Sequence, residues 1–341
     1  MQILREPVKD STAWSAQDFE TDRSWLYTLD ANNLADIENS LRRIQRDGLQ
    51  PPNFGADQFP MPSMKAVMPS LIDRFENGRG FFMIRGLPVK RYSLEEIKTI
   101  YWAFGVHMGN PVFQNKLGDL VSHVEDKGDD YNERNVRLYT TAAAANPHND
   151  PSDIVGLLCV RPAEHGGLSM IASATSIYNR LLEKHPEYLD VLYKGFPHDL
   201  RSEGRFGAVD ETTPDLPVFS LFKDKLSCCL NSKSNLTARA TQGRPISAFE
   251  MSALKCVENL AVDPELIVTM DFRPGDMQFL NNYVIIHTRT AFSNGIGNDQ
   301  SRLLLRLWLN LREGRPLHPG FGDRFNTGSR GGVPARQAVE L

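Results

Sequence analysis

The feature that most constrains the fold is a series of short apolar segments, separated by turns, that begins near residue 138. The clearest of them is Ile154–Val160, a nearly continuous apolar run that predicts a buried strand. Further short strands are expected at Ser169–Ser173, Leu266–Phe272, Met277–Leu280, Val284–His287 and Leu303–Leu309. Strands that follow one another through turns rather than through regular helices indicate an antiparallel sandwich or jelly roll.

Helices flank this β region on its N-terminal side and interrupt it once. Apolar residues at helical spacing end at Gly48 and again at Gly78, and a Ser93–Glu96 capping box opens a further helix. The same flank contains one expected strand, Phe81–Ile84, and a second capping box, Ser247–Glu250, opens a helix inside the interruption. We therefore predict a mainly β protein with helical insertions, built on a double-stranded β-helix (jelly-roll or cupin-like) core. The predicted parts of this single domain, 1–341, are a helical N-terminal flank (about 1–110), the jelly-roll core (111–175 and 264–312), a helical insert or lid (176–263) and a surface tail (313–341).

Composition excludes several classes of function. The chain has 38 basic and 42 acidic residues, a formal net charge of −4, which argues against a dedicated nucleic-acid-binding protein. Its four cysteines lack metal-binding spacing and are expected to be reduced thiols in the core. No apolar run approaches the roughly 20 residues that cross a membrane, and the first thirty residues lack an apolar signal segment. We therefore expect a cytoplasmic protein with a small-molecule substrate and no nucleic-acid or membrane partner, and we leave a homo-oligomer open.

Three His-x-acid triplets offer candidate metal ligands. With 8 histidines and 42 acidic residues in 341 positions, about one such triplet arises by chance, so the motif alone is weak. His185-Pro-Glu187 is expected to cap a helix, because proline favours the first helical turn. His123-Val-Glu125 alternates along a strand and fits a solvated edge, although a ligand pair stays open.

The third triplet, His148-Asn-Asp150, is placed differently. It lies in a short loop between Pro147 and Pro151 that leads into the long buried strand. Side chains at i and i+2 can both point inward there and offer a nitrogen and an oxygen to one metal ion. A third ligand must come from elsewhere, and His287, at the end of a buried strand, is the best candidate.

Two arginines follow His287 inside an apolar strand. Arg302 and Arg306 are separated by Leu303-Leu-Leu305, and the strand continues as Leu307-Trp-Leu309. A buried guanidinium cannot lose its charge by a pKa shift, so each needs an anionic partner. That partner is either a core carboxylate or the carboxylate of a ligand held by two hydrogen bonds.

Taken together, these segments resemble the TauD/TfdA (taurine dioxygenase-like) superfamily of Fe(II)/2-oxoglutarate-dependent dioxygenases. The resemblance covers about residues 80 to 325, and the ordered set of motifs is far more specific than any single His-x-Asp. The segments that carry it are Gly80–Gly86, His148–Asp150, Val155–Pro162, Gly166–Ser169, Pro274–Asp276, Asn281–His287, Thr288–Phe292 and Arg302–Leu309.

The resemblance implies roles for individual residues. It implies that Fe(II) is held by a facial triad of His148, Asp150 and His287. Arg302 matches the arginine that pairs with the distal carboxylate of 2-oxoglutarate, and Ser169 matches a hydroxyl residue at the same end. Arg306 matches a position that binds an anionic group of the primary substrate, and the two arginines could exchange roles. The implied reaction uses O₂, oxidises an unactivated C–H and releases succinate and CO₂, with hydroxylation first and desaturation or oxidative cyclisation as other outcomes.

The primary substrate and the function class leave alternatives. We expect a small anionic or zwitterionic substrate such as an amino acid, anchored by Arg306, with Gln114, Asn115, Tyr139 and Asn146 as further candidate pocket residues. One alternative is a non-catalytic metal-binding jelly-roll protein, which need not keep the residues for 2-oxoglutarate. The other is a zinc-dependent hydrolase on the same ligands, which would be indifferent to 2-oxoglutarate and oxygen.

Overall fold

The structure, a computed structural model, describes residues 3–131, 133, 136–295, 297, 301–328, 330 and 332–334. Its α-helices are α1 (Ala31–Arg46), α2 (Met68–Glu76), α3 (Leu94–Met108), α4 (Ala174–Lys184), α5 (Leu189–Lys194), α6 (Ser232–Thr241) and α7 (Ala248–Ala261). Its strands are β1 (Leu26–Thr28), β2 (Phe81–Arg85), β3 (Asn110–Pro111), β4 (Val121–Val124), β5 (Ile154–Arg161), β6 (His165–Gly166), β7 (Ser169–Ser173), β8 (Phe219–Phe222), β9 (Lys225–Cys228), β10 (Ile267–Met270), β11 (Met277–Asn281), β12 (Ile285–Arg289), β13 (Phe292–Ser293) and β14 (Leu303–Asn310).

Two sheets form the β region. The larger has seven strands in the order β1-β2-β11-β5-β14-β3, with β4 also paired to β14. The smaller has three strands in the order β10-β7-β12. Every described strand pair is antiparallel except β1 with β2. The long apolar run thus becomes β5, in the interior of the larger sheet between β11 and β14.

The two sheets pack face to face around one hydrophobic cluster. In the smaller sheet, Ile171 and Ile285 belong to this cluster, whereas their neighbours Ala172 and Ile286 pack against the helices on the outer face. Because successive side chains of a strand alternate, His287 shares the inward face of Ile285, and Ser169 shares that of Ile171. The sheet pattern therefore directs both residues into the space between the sheets.

Strand β14 shows the same alternation in the larger sheet. Leu305 and Leu307 pack with the N-terminal helices on the outer face, and Leu304 and Trp308 lie in the cluster between the sheets. The helices begin where the sequence indicates, since Ser93 and Ser247 both form capping boxes.

The N-terminal flank is less purely helical than predicted. It supplies β2, which is the expected strand, and also β1, which pairs with it in parallel. Strand β1 has only three residues, Leu26–Thr28, too few to produce a recognisable alternation. The flank is therefore part of the larger sheet as well as its helical cover.

The segment after residue 312 departs from the surface tail that its composition predicts. Arg315 and Phe321 are fully buried, and Arg324 and Phe325 are nearly so. Arg315 donates to the carbonyl of Leu226 and to the hydroxyl of Ser227, which satisfies part of a guanidinium that composition alone would place in water. In the described part of the chain, no helix has the length and apolar character to cross a membrane.

Candidate metal centre and its cavity

His148, Asp150 and His287 meet between the two sheets. Each offers one ligand atom, and these atoms all lie within 4.8 Å of one another. Nε2 of His148 is 4.0 Å from Oδ1 of Asp150, and Nε2 of His287 is 4.0 Å from Oδ2. Across the described residues, no other group of three histidine, cysteine or acidic side chains is placed to hold a metal.

The loop that carries the first two ligands is fixed by hydrogen bonds to the smaller sheet and to the insert. His148 and His287 exchange two backbone hydrogen bonds of 3.0 Å, which brings the ligands together. Asn149 faces the other way: its amide donates to the carbonyl of Ile285 at 2.7 Å, and its Oδ1 accepts from the N–H of Leu230 at 2.7 Å. The i, i+2 alternation expected from the sequence therefore holds.

Hydrogen bonds also prepare the ligand atoms. Nδ1 of His148 lies 2.7 Å from the carbonyl oxygen of Asn146, which can only accept, so this nitrogen carries the proton and Nε2 is free for a metal. Burial lowers the pKa of His287 to about 3, which keeps its imidazole neutral. Nδ1 of His287 is buried and has no hydrogen-bond partner among the described residues.

The carboxylate of Asp150 is held ionised in a buried position. Burial alone would raise its pKa, but Arg306, the two histidines and a hydrogen bond from Trp308 outweigh it and leave the pKa below its usual range. The indole N–H of Trp308 donates to Oδ2 at 3.0 Å, and Nη1 of Arg306 is 3.9 Å from the same oxygen. Trp308 was not among the predicted residues, although it lies two positions after Arg306 on the same strand face.

The cavity beside these ligands contains most of the predicted site residues. Its lining includes the three ligands together with Ser169, Arg302, Tyr139, Asn146 and Arg306. Gln114 and Asn115 do not line it. Their proximity to the site in the sequence does not become proximity to the cavity, because both belong to a turn outside it.

Gln114 instead acts on Arg306. It is fully buried, and its Oε1 accepts from Nε of Arg306 at 2.7 Å, while its amide donates to the carbonyl oxygen of Arg306 at 2.9 Å. Asn115 uses its side chain inside the turn, donating to Asp119 at 2.7 Å and accepting from the N–H of Leu117 at 3.0 Å.

Arg302 is buried without a carboxylate partner. Only 4% of it is exposed, and its Nη1 has no hydrogen-bond partner among the described residues. Burial, with a contribution from Arg289, lowers its pKa to about 10, so it remains charged at neutral pH. A Cβ on Gly167, whose φ is +68°, would lie 3.0 Å from Nε of Arg302, so glycine leaves the guanidinium its space.

The wall opposite the metal ligands is made of residues that the sequence did not single out. Arg137, Arg201, Lys233 and Arg324 line it, along with His198. Arg137 is ion-paired with Glu203, and Lys233 lies 3.6 Å from the ring centroid of Tyr131. These residues come from loops, the insert and the tail, where no periodicity indicates which side chains face a cavity.

Sequence comparison gives the family. Residues 45–308 match the taurine catabolism dioxygenase TauD, TfdA family. FR-33289 synthase from Streptomyces rubellomurinus is 33% identical over 321 residues, which cover 92% of this chain and 94% of that protein. A taurine hydroxylase-like protein from Stachybotrys chartarum is 28% identical over 320 residues, which cover 89% of this chain and 80% of that protein.

Solved structures share the fold at low identity. An asparagine oxygenase in complex with Fe(II), 2S,3S-3-hydroxyasparagine and succinate has a TM-score of 0.66 and 16% identity, covering 84% of this chain and 93% of that one. The non-heme iron oxygenase OrfP in complex with Fe and alpha-ketoglutaric acid has a TM-score of 0.59 and 16% identity, covering 84% and 94%. With a family match over most of its length and a relative 33% identical along nearly all of it, the chain belongs to the taurine catabolism dioxygenase TauD, TfdA family, and the prediction of an Fe(II)/2-oxoglutarate-dependent dioxygenase is confirmed.

Proposed function

We propose that this chain holds Fe(II) with His148, Asp150 and His287, binds 2-oxoglutarate with Arg302 and Ser169, and oxidises an unactivated C–H of a small substrate. Succinate and CO₂ are the co-products, and hydroxylation is the proposed outcome. The observation that carries the proposal is a buried arginine with an unused donor in the same cavity as two imidazoles and one carboxylate.

The donor set fits ferrous iron. Two neutral imidazole nitrogens and one carboxylate oxygen are the ligands of non-heme Fe(II) oxygenases, and three protein ligands leave positions open for small molecules on a six-coordinate ion. When bound, iron supplies the oxidation chemistry with O₂ and 2-oxoglutarate. The chain keeps His148 in one tautomer through Asn146 and occupies one lone pair of Asp150 with Trp308.

Arg302 fits the distal carboxylate of 2-oxoglutarate. Its unused Nη1 is a charged donor in a buried place, which is costly until an anion meets it. Ser169 lies in the same lining, and its Oγ is 3.0 Å from Oε1 of Gln278. With the Gln278 amide turned over, its NH₂ donates to this Oγ, and the hydroxyl proton is free for the cosubstrate.

Arg306 fits an acidic group of the primary substrate. Its Nη2 has no partner among the described residues, while its guanidinium is packed against Tyr139 and Trp308, each with a ring centroid 4.6 Å away. The solved structures named above include complexes with hydroxylated asparagine and hydroxylated arginine. These complexes support hydroxylation of an anionic or zwitterionic molecule such as an amino acid.

We also propose that the two packed sheets form a double-stranded β-helix. The face-to-face packing of a larger and a smaller antiparallel sheet, with the metal ligands between them, supports this assignment. The parts predicted from the sequence then act together as one domain, 1–341, with the insert at 176–263 contributing part of the cavity wall.

An anaerobic titration tests the proposed function. Fe(II) and 2-oxoglutarate are added without oxygen, and we expect the visible charge-transfer band of a chelated 2-oxo acid, followed by succinate once air is admitted. A protein that gives neither band nor succinate contradicts the proposal. A band without succinate, in the presence of a substrate library, would favour the non-catalytic metal-binding protein, and hydrolysis with zinc but no band would favour the hydrolase.

A further inference from the structure

Arg324 is an unassigned cation in the wall of the cavity. It comes from the tail, is 7% exposed, and donates through Nη1 to the backbone carbonyl oxygen of Asp150 at 2.7 Å. Its other donors, Nε and Nη2, are buried and have no hydrogen-bond partner among the described residues. The residue therefore has two unused charged donors close to a metal ligand.

Other buried arginines of this chain have acidic partners. Arg85 pairs with Asp276 at 2.7 Å, Arg239 with Glu250 at 2.6 Å, and Arg315 lies 3.8 Å from Glu76. Neither Arg302 nor Arg324 has a carboxylate within ion-pair distance in the part of the chain described, and both line the cavity. Since Arg302 is assigned to 2-oxoglutarate, Arg324 lacks a counter-ion of its own.

The groups around Arg324 do not supply that counter-ion. Burial raises the pKa of the Cys229 thiol, so it stays neutral. His198, whose Nε2 is 3.7 Å from Sγ of Cys229, has its pKa lowered to about 3 by burial and by Arg324 and Arg201. A neutral imidazole and two cations thus share this part of the wall.

The charge of the whole lining points the same way. Among the described residues it has seven arginine or lysine side chains and three aspartate or glutamate side chains, an excess of four positive charges. The charges of Fe(II) and 2-oxoglutarate cancel, so the excess remains when both are bound. An uncompensated positive cavity attracts an anionic ligand.

We propose that Arg324, with Arg201 and His198, forms a subsite for an acidic group of the primary substrate, either a carboxylate or a tetrahedral oxyanion. The inference rests on the function proposed above and extends it, since it adds a substrate contact from the tail. A guanidinium with two free donors suits either kind of oxyanion through paired hydrogen bonds. Because Arg324 also holds the carbonyl of Asp150, a substrate anion placed there lies next to the metal centre.

The test uses anion titrations of the anaerobic protein loaded with Fe(II) and 2-oxoglutarate. Acetate and sulfate are added separately, with chloride keeping the ionic strength constant, and the charge-transfer band is followed. We expect at least one anion to perturb the band saturably in the wild-type protein. Saturation by acetate alone identifies a carboxylate subsite, and saturation by sulfate alone identifies a tetrahedral one.

Variants assign the effect to Arg324. Arg324→Gln should form the band with 2-oxoglutarate but bind the effective anion at least about tenfold more weakly. Arg312→Gln removes an exposed arginine of the same tail and should titrate as wild type. If Arg324→Gln fails to form the band, Arg324→Lys, which keeps a charged donor for Asp150, takes its place.

The outcomes separate the two proposals. No band in the wild-type protein overturns the proposed function. A normal band, with either no saturable anion effect or the same titration in wild type and the Arg324 variant, overturns only the subsite.

Discussion

The two sides of the cavity satisfy their polar groups differently. On the metal side, the ligands are set by the smaller sheet and supported by neighbours such as Asn146 and Trp308. On the opposite side, arginines from loops and from the tail retain donors without partners. The difference teaches that the chain builds the metal side for one fixed occupant, and leaves the other side to be completed by a ligand.

Removing a metal ligand should give the largest effect. His287→Ala takes away one of three ligands, so we expect the charge-transfer band to disappear and succinate formation to fall by more than about 100-fold, beyond the 10–100-fold cost of losing an outer partner. The matched control is His123→Ala, which removes the histidine of another His-x-acid triplet, 3.6 Å from Glu125 and outside the cavity lining. Equal losses in both variants would contradict the assignment of the metal side.

Removing the cosubstrate arginine should give the next largest effect. Arg302→Ala is expected to raise the KM for 2-oxoglutarate about 10- to 100-fold, because it removes charge-assisted hydrogen bonds, and to leave Fe(II) binding nearly unchanged. Arg306→Ala should leave that KM near wild type and abolish stimulation of succinate formation by a library of amino acids and other small acids. The reverse pattern would exchange the two roles.

A change behind the metal ligand should have a smaller effect. Trp308→Phe keeps the aromatic packing and removes the N–H that meets Asp150, so we expect about tenfold weaker Fe(II) binding in an equilibrium titration. Trp102→Phe removes an indole hydrogen bond of 3.0 Å to the Phe54 carbonyl in the N-terminal core and serves as control. If both variants bind Fe(II) equally well, the hydrogen bond to Asp150 does not tune the site.

The smallest effect on activity is expected at Gln114. Gln114→Leu keeps the volume and removes the group that holds Arg306, so substrate-stimulated turnover should fall several-fold while the band with 2-oxoglutarate is unchanged. The carbonyls that lose their donor should lower the free energy of unfolding by about 1–3 kcal/mol in denaturant titrations. A variant with full stimulation would show that Arg306 needs no such support.

The sequence predicts the metal side because strand geometry is periodic. His148 and Asp150 at i and i+2, and His287 two residues after a buried Ile285, need only the alternation of side chains to face one space. Arg302 and Arg306 follow from the cost of a buried charge. The roles assigned to these residues remain predictions.

The opposite wall escapes such reasoning because its contacts are long-range and irregular. The Gly-, Pro- and Arg-rich composition around Arg324 predicts an exposed tail, yet this arginine bonds a carbonyl 174 residues earlier in the chain. Gln114 shows the converse case, since a residue expected in the pocket acts from behind it. No local pattern distinguishes these situations, because each depends on which distant backbone group lies within reach.

Asn149 has a consequence for motion. The residue between two metal ligands is tied on one side to the smaller sheet and on the other to Leu230, which directly precedes the loop into α6. A rearrangement of the insert on substrate entry must either break these bonds or carry His148 and Asp150 with it. The coordination of the ion and the position of the insert are thus mechanically linked through one amide side chain.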